Sequence, residues 1–303
     1  MVAQELDVYP SRTGPEPTLI KRRDPVVPPG LDGPRTQDQL QSFASEGFLA
    51  LNDLLSASEL DVLRGEVQRM TSAPDLAKAL QTVIEPESRE IRSVFEVHRS
   101  SRVFRDLAAD SRIVDRVRQI LGSDVYIHQS RMNRKSGFEG AAFYWHSDFE
   151  TWHVEDGMPR MRAVSCSIAL TDNYTWNGPL MVMPKSHLWF ASCVGETPEE
   201  HYKDSLRKQE YGVPSNETLH RLAEEGSVVD FPVTAGSIVL FDCNIQHGSN
   251  SNISPLPRSN VFFVYNSLEN TLVEPFCGLP PRPEFIACRQ FTPVQELPTP
   301  AAR

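Results

Sequence analysis

A histidine and an aspartate two positions apart are the first residues in this chain whose spacing suggests metal chemistry. His146 and Asp148 flank a single serine, and residues i and i+2 of a strand point to the same side, so both could reach one ion. His247 follows about a hundred residues later, just after a strand-like run. Two histidines and one carboxylate are the ligands of non-haem Fe(II) oxygenases, which keep positions open for a co-substrate and O2. A His-x-Asp pattern also arises by chance, so neighbouring residues must support this interpretation.

An arginine downstream of the second histidine offers that support. Arg258 follows His247 by eleven residues and opens a strand-like run at residues 260–265. In a double-stranded β-helix this strand would carry the guanidinium into the barrel, where it could bind the distal carboxylate of a ligand in a bidentate manner. The alternative is an ordinary salt bridge on the surface.

A polar strand face gives the third indication of a ligand site. From residue 124 the hydrophobic period changes from near four to two, and the later residues on one side of this strand are Gln129, Arg131, Asn133 and Lys135. Four alternate polar residues on a strand whose earlier positions are apolar are typical of a ligand pocket. A solvated sheet face is the alternative.

The remaining pattern predicts which elements position these residues. Helical spacing dominates residues 36–122, with a capping box at Ser56 and Glu59 and a helix that ends at Gly122. Strand-like runs follow at residues 125–135, 161–170, 180–183, 228–231, 237–242 and 260–265, separated by turn signals. We therefore expect a mainly β fold with α-helices, namely a double-stranded β-helix of the jelly-roll or cupin type, flanked by N-terminal helices.

The predicted organisation is a single domain with two extensions. Residues 1–35 are rich in proline and read as an extended arm, residues 36–295 as the domain, and residues 296–303 as a tail. Within the domain, residues 36–122 form the helical support and residues 123–290 the β-helix core. The proline-rich chain from residue 279 is expected to wrap the surface.

Charge and composition exclude several classes of partner. Lys and Arg total 30 against 40 Asp and Glu, a formal net charge of −10, which argues against nucleic acid or an anionic membrane as the main partner. No apolar run approaches the length of a membrane-spanning helix, and no secretory signal is recognisable. The five cysteines form no CxxC pair, so the expected location is the reducing cytoplasm.

The same residues resemble the phytanoyl-CoA dioxygenase superfamily of Fe(II)- and 2-oxoglutarate-dependent oxygenases. Segment 178–187, GPLMVMPKSH, is similar to a stretch of that family, with Lys185 where glycine is usual, and segment 236–242, GSIVLFD, resembles the strand before its distal histidine. Three longer segments, WHSDFETWHVEDGMP at 145–159, QSRMNRKSGF at 129–138 and PRSNVFF at 257–263, resemble the ectoine hydroxylases within it. The resemblance covers most of residues 15–295.

The resemblance implies a role for each candidate site residue. Fe(II) would be held by His146, Asp148 and His247, and O2 would be consumed together with 2-oxoglutarate. The candidates for binding 2-oxoglutarate are Arg258, Lys135, Ser165, Asn133 and Phe143. The candidates for binding ectoine are Gln129, Arg131, Thr151, Trp152, Phe241, Ser249, Asn260 and Phe262. The implied reaction is hydroxylation of ectoine to 5-hydroxyectoine by a homodimeric enzyme.

The chemistry of ectoine fits this set, although several assignments stay open. A ring amidinium suits an aromatic wall, for which Trp152, Phe241 and Phe262 are candidates, but each aromatic ring could equally belong to the core. The carboxylate suits an arginine or a side-chain amide. Glu150 is a candidate to brace a metal ligand from outside the coordination shell.

Two alternative functions remain open at this point. One is another small-molecule hydroxylase of the same superfamily, acting on an amino acid or an acyl group. The other is a non-catalytic β-helix module, including one with a structural zinc ion. A structural zinc site normally has four protein ligands, and only three candidates are found here.

Overall fold

The computed structural model describes residues 7–85, 89–200, 202–205 and 211–297. These residues form thirteen strands: β1 (Leu19–Lys21), β2 (Phe48–Leu51), β3 (Thr82–Ile84), β4 (Ile91–Phe95), β5 (Val125–Lys135), β6 (Phe143–His146), β7 (Ala163–Ala169), β8 (Met181–Val182), β9 (Trp189–Ala191), β10 (Val229–Asp230), β11 (Ile238–Asp242), β12 (His247–Ser249) and β13 (Arg258–Ser267). They also form eight α-helices: α1 (Gln37–Glu46), α2 (Ala57–Thr71), α3 (Val97–Ser100), α4 (Arg102–Ala108), α5 (Ser111–Leu121), α6 (Asp148–Asp156), α7 (Tyr202–Ser205) and α8 (Asn216–Gly226).

Two antiparallel sheets form the barrel. The larger sheet has seven strands in the order β2-β11-β7-β13-β5-β4-β3, and the smaller has four in the order β10-β8-β12-β6. Apolar side chains on the outer face of the larger sheet, among them Val261 and Phe263, pack against the helices through Phe104, Val114 and Val117. The inner face turns toward the smaller sheet. This arrangement is the predicted double-stranded β-helix with N-terminal helices.

The helix signals in the sequence correspond to local structure. The capping box at Ser56 and Glu59 begins α2, and Gly122, in the left-handed conformation at φ 63°, ends α5. The region that we expected to be helical, residues 36–122, also contains β2, β3 and β4, which the sequence analysis missed. These strands are three to five residues long, so their period-two pattern is too short to stand out from the helices around them.

A β-bulge divides β5 into two parts with different environments. The register with β13 shifts between Val264 and Tyr265, so that Gln129 lies opposite Val264 whereas Ile127 lies opposite Tyr265. Val125 and Ile127 therefore pack into the outer core. After the bulge, Gln129 and every second residue that follows it point to the inner face. The switch from apolar to polar residues along this strand follows from the bulge.

The described parts of the N-terminal and C-terminal segments contact the barrel strands. In the N-terminal arm, β1 pairs with β9, and Tyr9 and Arg12 are buried. The C-terminal segment forms backbone hydrogen bonds to the first half of β5, from Val294 N to Val125 O and from Cys288 N to His128 O, both at 2.9 Å. The division into arm, domain and tail remains a proposal, and only residues 296 and 297 of the tail lie within the described residues. No helix within the described ranges has the length and apolar character needed to cross a membrane.

Gly157, which ends α6, gives a test of this packing. Its φ is 76°, and an added Cβ would lie 2.2 Å from the carbonyl oxygen of Val273. We expect Gly157→Ala to lower the free energy of unfolding by about 1–3 kcal/mol, because both the backbone conformation and the contact become strained. Urea denaturation measures this change.

The matched control is Gly65→Ala in α2. Nothing lies within 4 Å of a Cβ added at Gly65, so alanine should raise the free energy of unfolding by about 0.5–1 kcal/mol. Equal effects of the two substitutions would contradict the described packing of Gly157.

Candidate metal centre and anion pocket

The three candidate metal ligands lie at one end of the smaller sheet. His146 ends β6 and pairs across the sheet with His247, the first residue of β12. We had expected Asp148 to lie on a strand, but it is the first residue of α6. The chain turns at Ser147, the helix N-cap, and a carboxylate in the first helical turn is favoured by the helix dipole. The turn, rather than strand alternation, brings Asp148 beside the histidines.

The three side chains converge on one point. Nε2 of His146 lies 3.7 Å from Oδ1 of Asp148, and Nε2 of His247 lies 3.7 Å from Oδ2. One ligand atom from each residue falls within 4.8 Å of the others. Nδ1 of His146 is 2.7 Å from the carbonyl oxygen of Tyr144, which can only accept, so Nδ1 donates and Nε2 keeps its lone pair for a metal. This donor set fits a divalent iron ion.

The electrostatics keep these groups in the state that a metal requires. Burial acts to raise the pKa of Asp148, but the positive charges possible on His247 and His146, and the charge of Arg131, hold the pKa well below its usual value. Burial lowers the pKa of His247 to about 4. At neutral pH the cluster therefore presents an ionised carboxylate and, at His247, a neutral imidazole.

A pair of buried cations lies on neighbouring strands of the larger sheet. Arg258 and Lys135 are opposite each other in the register of β13 and β5, and they are 3% and 2% exposed. Lys135 Nζ donates to Ser249 Oγ at 2.9 Å and to the carbonyl of Asn250, and Arg258 donates to the carbonyl of Gly178. Within the described part of the chain neither cation forms an ion pair with a carboxylate.

This uncompensated charge is visible in the pKa values. Burial, together with the charges of Arg258 and Arg92, lowers the pKa of Lys135 to about 6. Burial and the charge of Arg131 lower the pKa of Arg258 to about 10. Lys135 is therefore largely uncharged at neutral pH until an anion binds, and a bound carboxylate would raise both pKa values and restore its positive charge. The pair is therefore suited to binding an organic anion.

Further polar groups line the inner face between these cations and the metal cluster. The Oδ1 atoms of Asn133 and Asn260, which are opposite each other in the register, are buried without a hydrogen-bond partner among the described residues. The guanidinium carbon of Arg131 lies 4.9 Å from the ring centre of Phe262. Ser165 Oγ is 3.4 Å from Oδ2 of Asp148. The inner face thus offers unused polar atoms beside the metal cluster.

The other predicted contact residues are distributed around this face. Phe241 lies with its ring centre 5.1 Å from that of His247, and Gln129 Nε2 donates to the carbonyl of Ile286 at 2.8 Å. Trp152 is 3% exposed and belongs to an apolar cluster. Its ring centre lies 5.1 Å from that of His128, and the two rings meet edge to face. Thr151 Oγ1 is buried without a hydrogen-bond partner in the described chain.

Sequence reasoning missed Arg92 and Glu85, two charged residues near Lys135. The guanidinium carbon of Arg92, on β4, lies 4.4 Å from the ring centre of Phe143, and Nε lies 3.6 Å from Oε2 of Glu85. The only signal was a single arginine inside the short apolar run at residues 91–95. The sequence had suggested that Glu150 braces a metal ligand. Instead, Glu150 forms an ion pair with Arg12 of the N-terminal arm and does not contact a metal ligand directly.

A jelly-roll barrel whose interior holds two histidines, a carboxylate and unpaired cations is typical of 2-oxoglutarate-dependent oxygenases. Residues 43–260 match the phytanoyl-CoA dioxygenase family, and the chain belongs to this family.

Several relatives of this chain are named ectoine dioxygenase. The chain is 55% identical over 300 residues to the ectoine dioxygenase of Bordetella bronchiseptica, covering 98% of this chain and 97% of the relative. It is 52% identical over 291 residues to the ectoine dioxygenase of Streptomyces coelicolor, and the match covers 95% of this chain and 97% of that relative. The crystal structure of EctD from S. alaskensis with 2-oxoglutarate and 5-hydroxyectoine has a TM-score of 0.88 and 44% identity, covering 97% of this chain and 99% of that one. The resemblance noted in the sequence is therefore confirmed.

Removing the carboxylate of the cluster tests the metal site. Asp148→Asn keeps the side-chain volume but presents a neutral amide, so we expect Fe(II) affinity to fall by more than about 100-fold, since even partners outside a coordination shell are worth 10- to 100-fold. Anaerobic equilibrium dialysis with metal analysis measures this affinity. His220→Ala, at an exposed histidine of α8, is the matched control and should bind iron normally. Unchanged affinity in Asp148→Asn would exclude this cluster as the iron site.

Proposed function

We propose that this protein is an Fe(II)- and 2-oxoglutarate-dependent dioxygenase that hydroxylates ectoine to 5-hydroxyectoine, with succinate and CO2 as co-products. The observation that carries the proposal is the buried cluster of His146, Asp148 and His247 beside an inner face whose cations have no carboxylate partner in the described chain. Ectoine dioxygenases at 50–55% identity over almost the whole chain support the choice of substrate.

His146, Asp148 and His247 would hold the iron ion. Iron and 2-oxoglutarate together supply, with O2, the oxidising power to insert one oxygen atom into a C–H bond. His146 is already oriented for this task by its hydrogen bond to the carbonyl of Tyr144. The two histidines are buried and the Asp148 side chain is 17% exposed, so the access of water to the cluster is limited, which protects an oxidising centre from side reactions.

The paired cations would bind the far carboxylate of 2-oxoglutarate. Arg258 offers a planar fork and Lys135 a second positive charge from the facing strand. Among the other candidates, Asn133 presents an unpaired amide oxygen, Ser165 lies beside Asp148, and Phe143 carries Arg92 against its ring. Together these residues would orient the co-substrate toward the metal cluster.

The remaining inner-face residues would hold ectoine. Its amidinium would contact aromatic rings. The candidates are Phe262, whose ring lies against Arg131, and Phe241, whose ring lies against His247. Its carboxylate would be bound by Arg131, Gln129 or Asn260. The further candidates Thr151, Trp152 and Ser249 lie on α6 and β12, the elements that also carry Asp148 and His247.

Three broader features belong to this proposal. We assign the enzyme to the cytoplasm, a choice supported by its five unpaired cysteines. The acidic net charge suits a protein that works at raised salt, which agrees with a role in making a compatible solute under stress. The homodimeric state rests on the family resemblance alone.

Product analysis tests the proposal directly. We expect the protein with Fe(II), 2-oxoglutarate, ascorbate and ectoine in air to yield a product one oxygen atom heavier, hydroxylated on the ring carbon next to the carboxylate-bearing carbon. Mass spectrometry and NMR identify the product, and succinate should form in equal amount. Asp148→Asn should give neither.

The outcomes separate the substrate from the reaction class. Succinate without a hydroxylated product would retain the iron oxygenase and reject ectoine as substrate. Neither succinate nor product from folded, iron-loaded protein would reject the enzyme and favour a binding module.

A further inference from the structure

The N-terminal arm contacts the helix that carries Asp148. Tyr9 packs edge-to-face on Phe149 of α6, with ring centres 5.5 Å apart, and Asp7 Oδ1 lies 2.9 Å from Nε2 of His153. These contacts join residues about 140 positions apart in the sequence. The arm is therefore part of the environment of α6 rather than a separate extension.

Arg12 makes the principal polar contact between the arm and this helix. Its Nε and Nη2 donate to the two carboxylate oxygens of Glu150 at 3.0 and 2.7 Å, and its Nη1 donates to Oε1 of Glu155 at 2.7 Å. Glu150 lies in the first turn of α6 and Glu155 near its end. One guanidinium thus bridges two carboxylates that are five positions apart on the helix, which restrains both the position of the helix along its axis and its rotation.

The backbone around Arg12 is held in place for this contact. Arg12 has φ 58°, a conformation that costs energy for a residue with a side chain and persists only where its surroundings impose it. Arg12 N donates to the carbonyl of Cys193 at 2.8 Å, and Ser11 Oγ bridges Glu150 Oε1 and the backbone N–H of Cys193. Gly212 closes the ion pair from the other side, because a Cβ there would lie 2.5 Å from Glu150 Oε2.

Other contacts hold the two ends of α6 through its backbone and its last residue. Arg282, in the C-terminal segment, forms a bidentate ion pair with Asp156 at the last residue of the helix. At the first turn the helix is tied to the loop before His247 by the bond from Phe149 N to Cys243 O. Glu150 is two residues from Asp148 and, within the described residues, its side chain depends on Arg12 and Ser11.

We propose that Arg12 is a positioning residue for the iron centre, acting through Glu150 to hold α6 where Asp148 meets His146 and His247. This inference rests on the proposed iron site. Because Glu150 is 1% exposed, loss of the guanidinium would leave a buried charge unpaired, and the first turn of α6 would shift to reach water or another donor. Asp148 moves with that turn.

Three substitutions at the ion pair test this role. We expect Arg12→Met to weaken Fe(II) binding by 10- to 100-fold, measured by anaerobic calorimetric titration with Fe(II) alone. Arg12→Lys, which keeps the charge but loses the fork, should lose less affinity than Arg12→Met. In the double variant Arg12→Met with Glu150→Gln the buried charge of Glu150 is removed, and Glu155 keeps an ion pair with Arg282 at 3.8 Å. Folding should therefore recover while iron affinity stays low, because the first turn of the helix is no longer anchored by Arg12.

A matched control separates positioning from general stability. Arg112→Met breaks the partly buried ion pairs with Glu59 and Asp110 in the helical layer, so it should lower the thermal midpoint but leave Fe(II) affinity within twofold of the unmodified protein. The double variant provides a folded protein if Arg12→Met does not fold. Fe(II) affinity within twofold in the folded double variant would overturn the proposal and leave Arg12 a purely structural residue. If the unmodified protein binds iron but forms no hydroxyectoine, the proposed substrate fails while this inference stands.

Discussion

Cations without carboxylate partners on the inner face of the barrel impose the main constraint on this structure. Burial lowers the pKa of Arg131, Lys135 and Arg258, and within the described residues none of them has an ion-pair partner. Keeping such charges out of water is costly unless an anion joins them. Such a face is better suited to binding an anion than to forming an apolar core.

The buried charges elsewhere in the chain show the contrast. Arg12 pairs with Glu150, Arg22 with Asp242 and Arg282 with Asp156, all at 2.6–2.8 Å. These compensated pairs connect the terminal segments to α6 and to the end of β11, the elements that lead to Asp148 and His247. Buried charge is therefore neutralised where these segments meet, and it lacks a carboxylate partner on the face that we propose binds a ligand.

Much of the site could be predicted because its residues follow short-range rules. The spacing of His146 and Asp148 and the polar alternation from Gln129 point to the candidate site without knowledge of the fold. The reason given for the spacing was wrong, because Asp148 begins a helix and is not part of a strand. The chain turns after His146, and no local pattern distinguishes such a turn from a continuing strand.

The contacts that escaped prediction are those between distant segments. Arg12 and Glu150 are 138 positions apart, so their pairing depends on where the arm runs, and nothing in either local sequence specifies that path. Arg92 lies in a strand too short to be recognised, and its approach to Phe143 depends on the pairing of β4 with β5. The bulge in β5, which directs Gln129 and Arg131 inward, is likewise set by pairing with β13.

The central claim is that the unpaired cations bind the distal carboxylate of a 2-oxo acid. Anaerobic calorimetry on the Fe(II)-loaded protein can compare 2-oxoglutarate with 2-oxobutanoate, which lacks that carboxylate. We predict at least about 10-fold tighter binding of 2-oxoglutarate, since a charge-assisted bidentate contact is worth about 1.5–3 kcal/mol, and loss of this preference in Arg258→Met. Equal affinity for the two acids in the unmodified protein, or a preference that survives in Arg258→Met, would contradict the account.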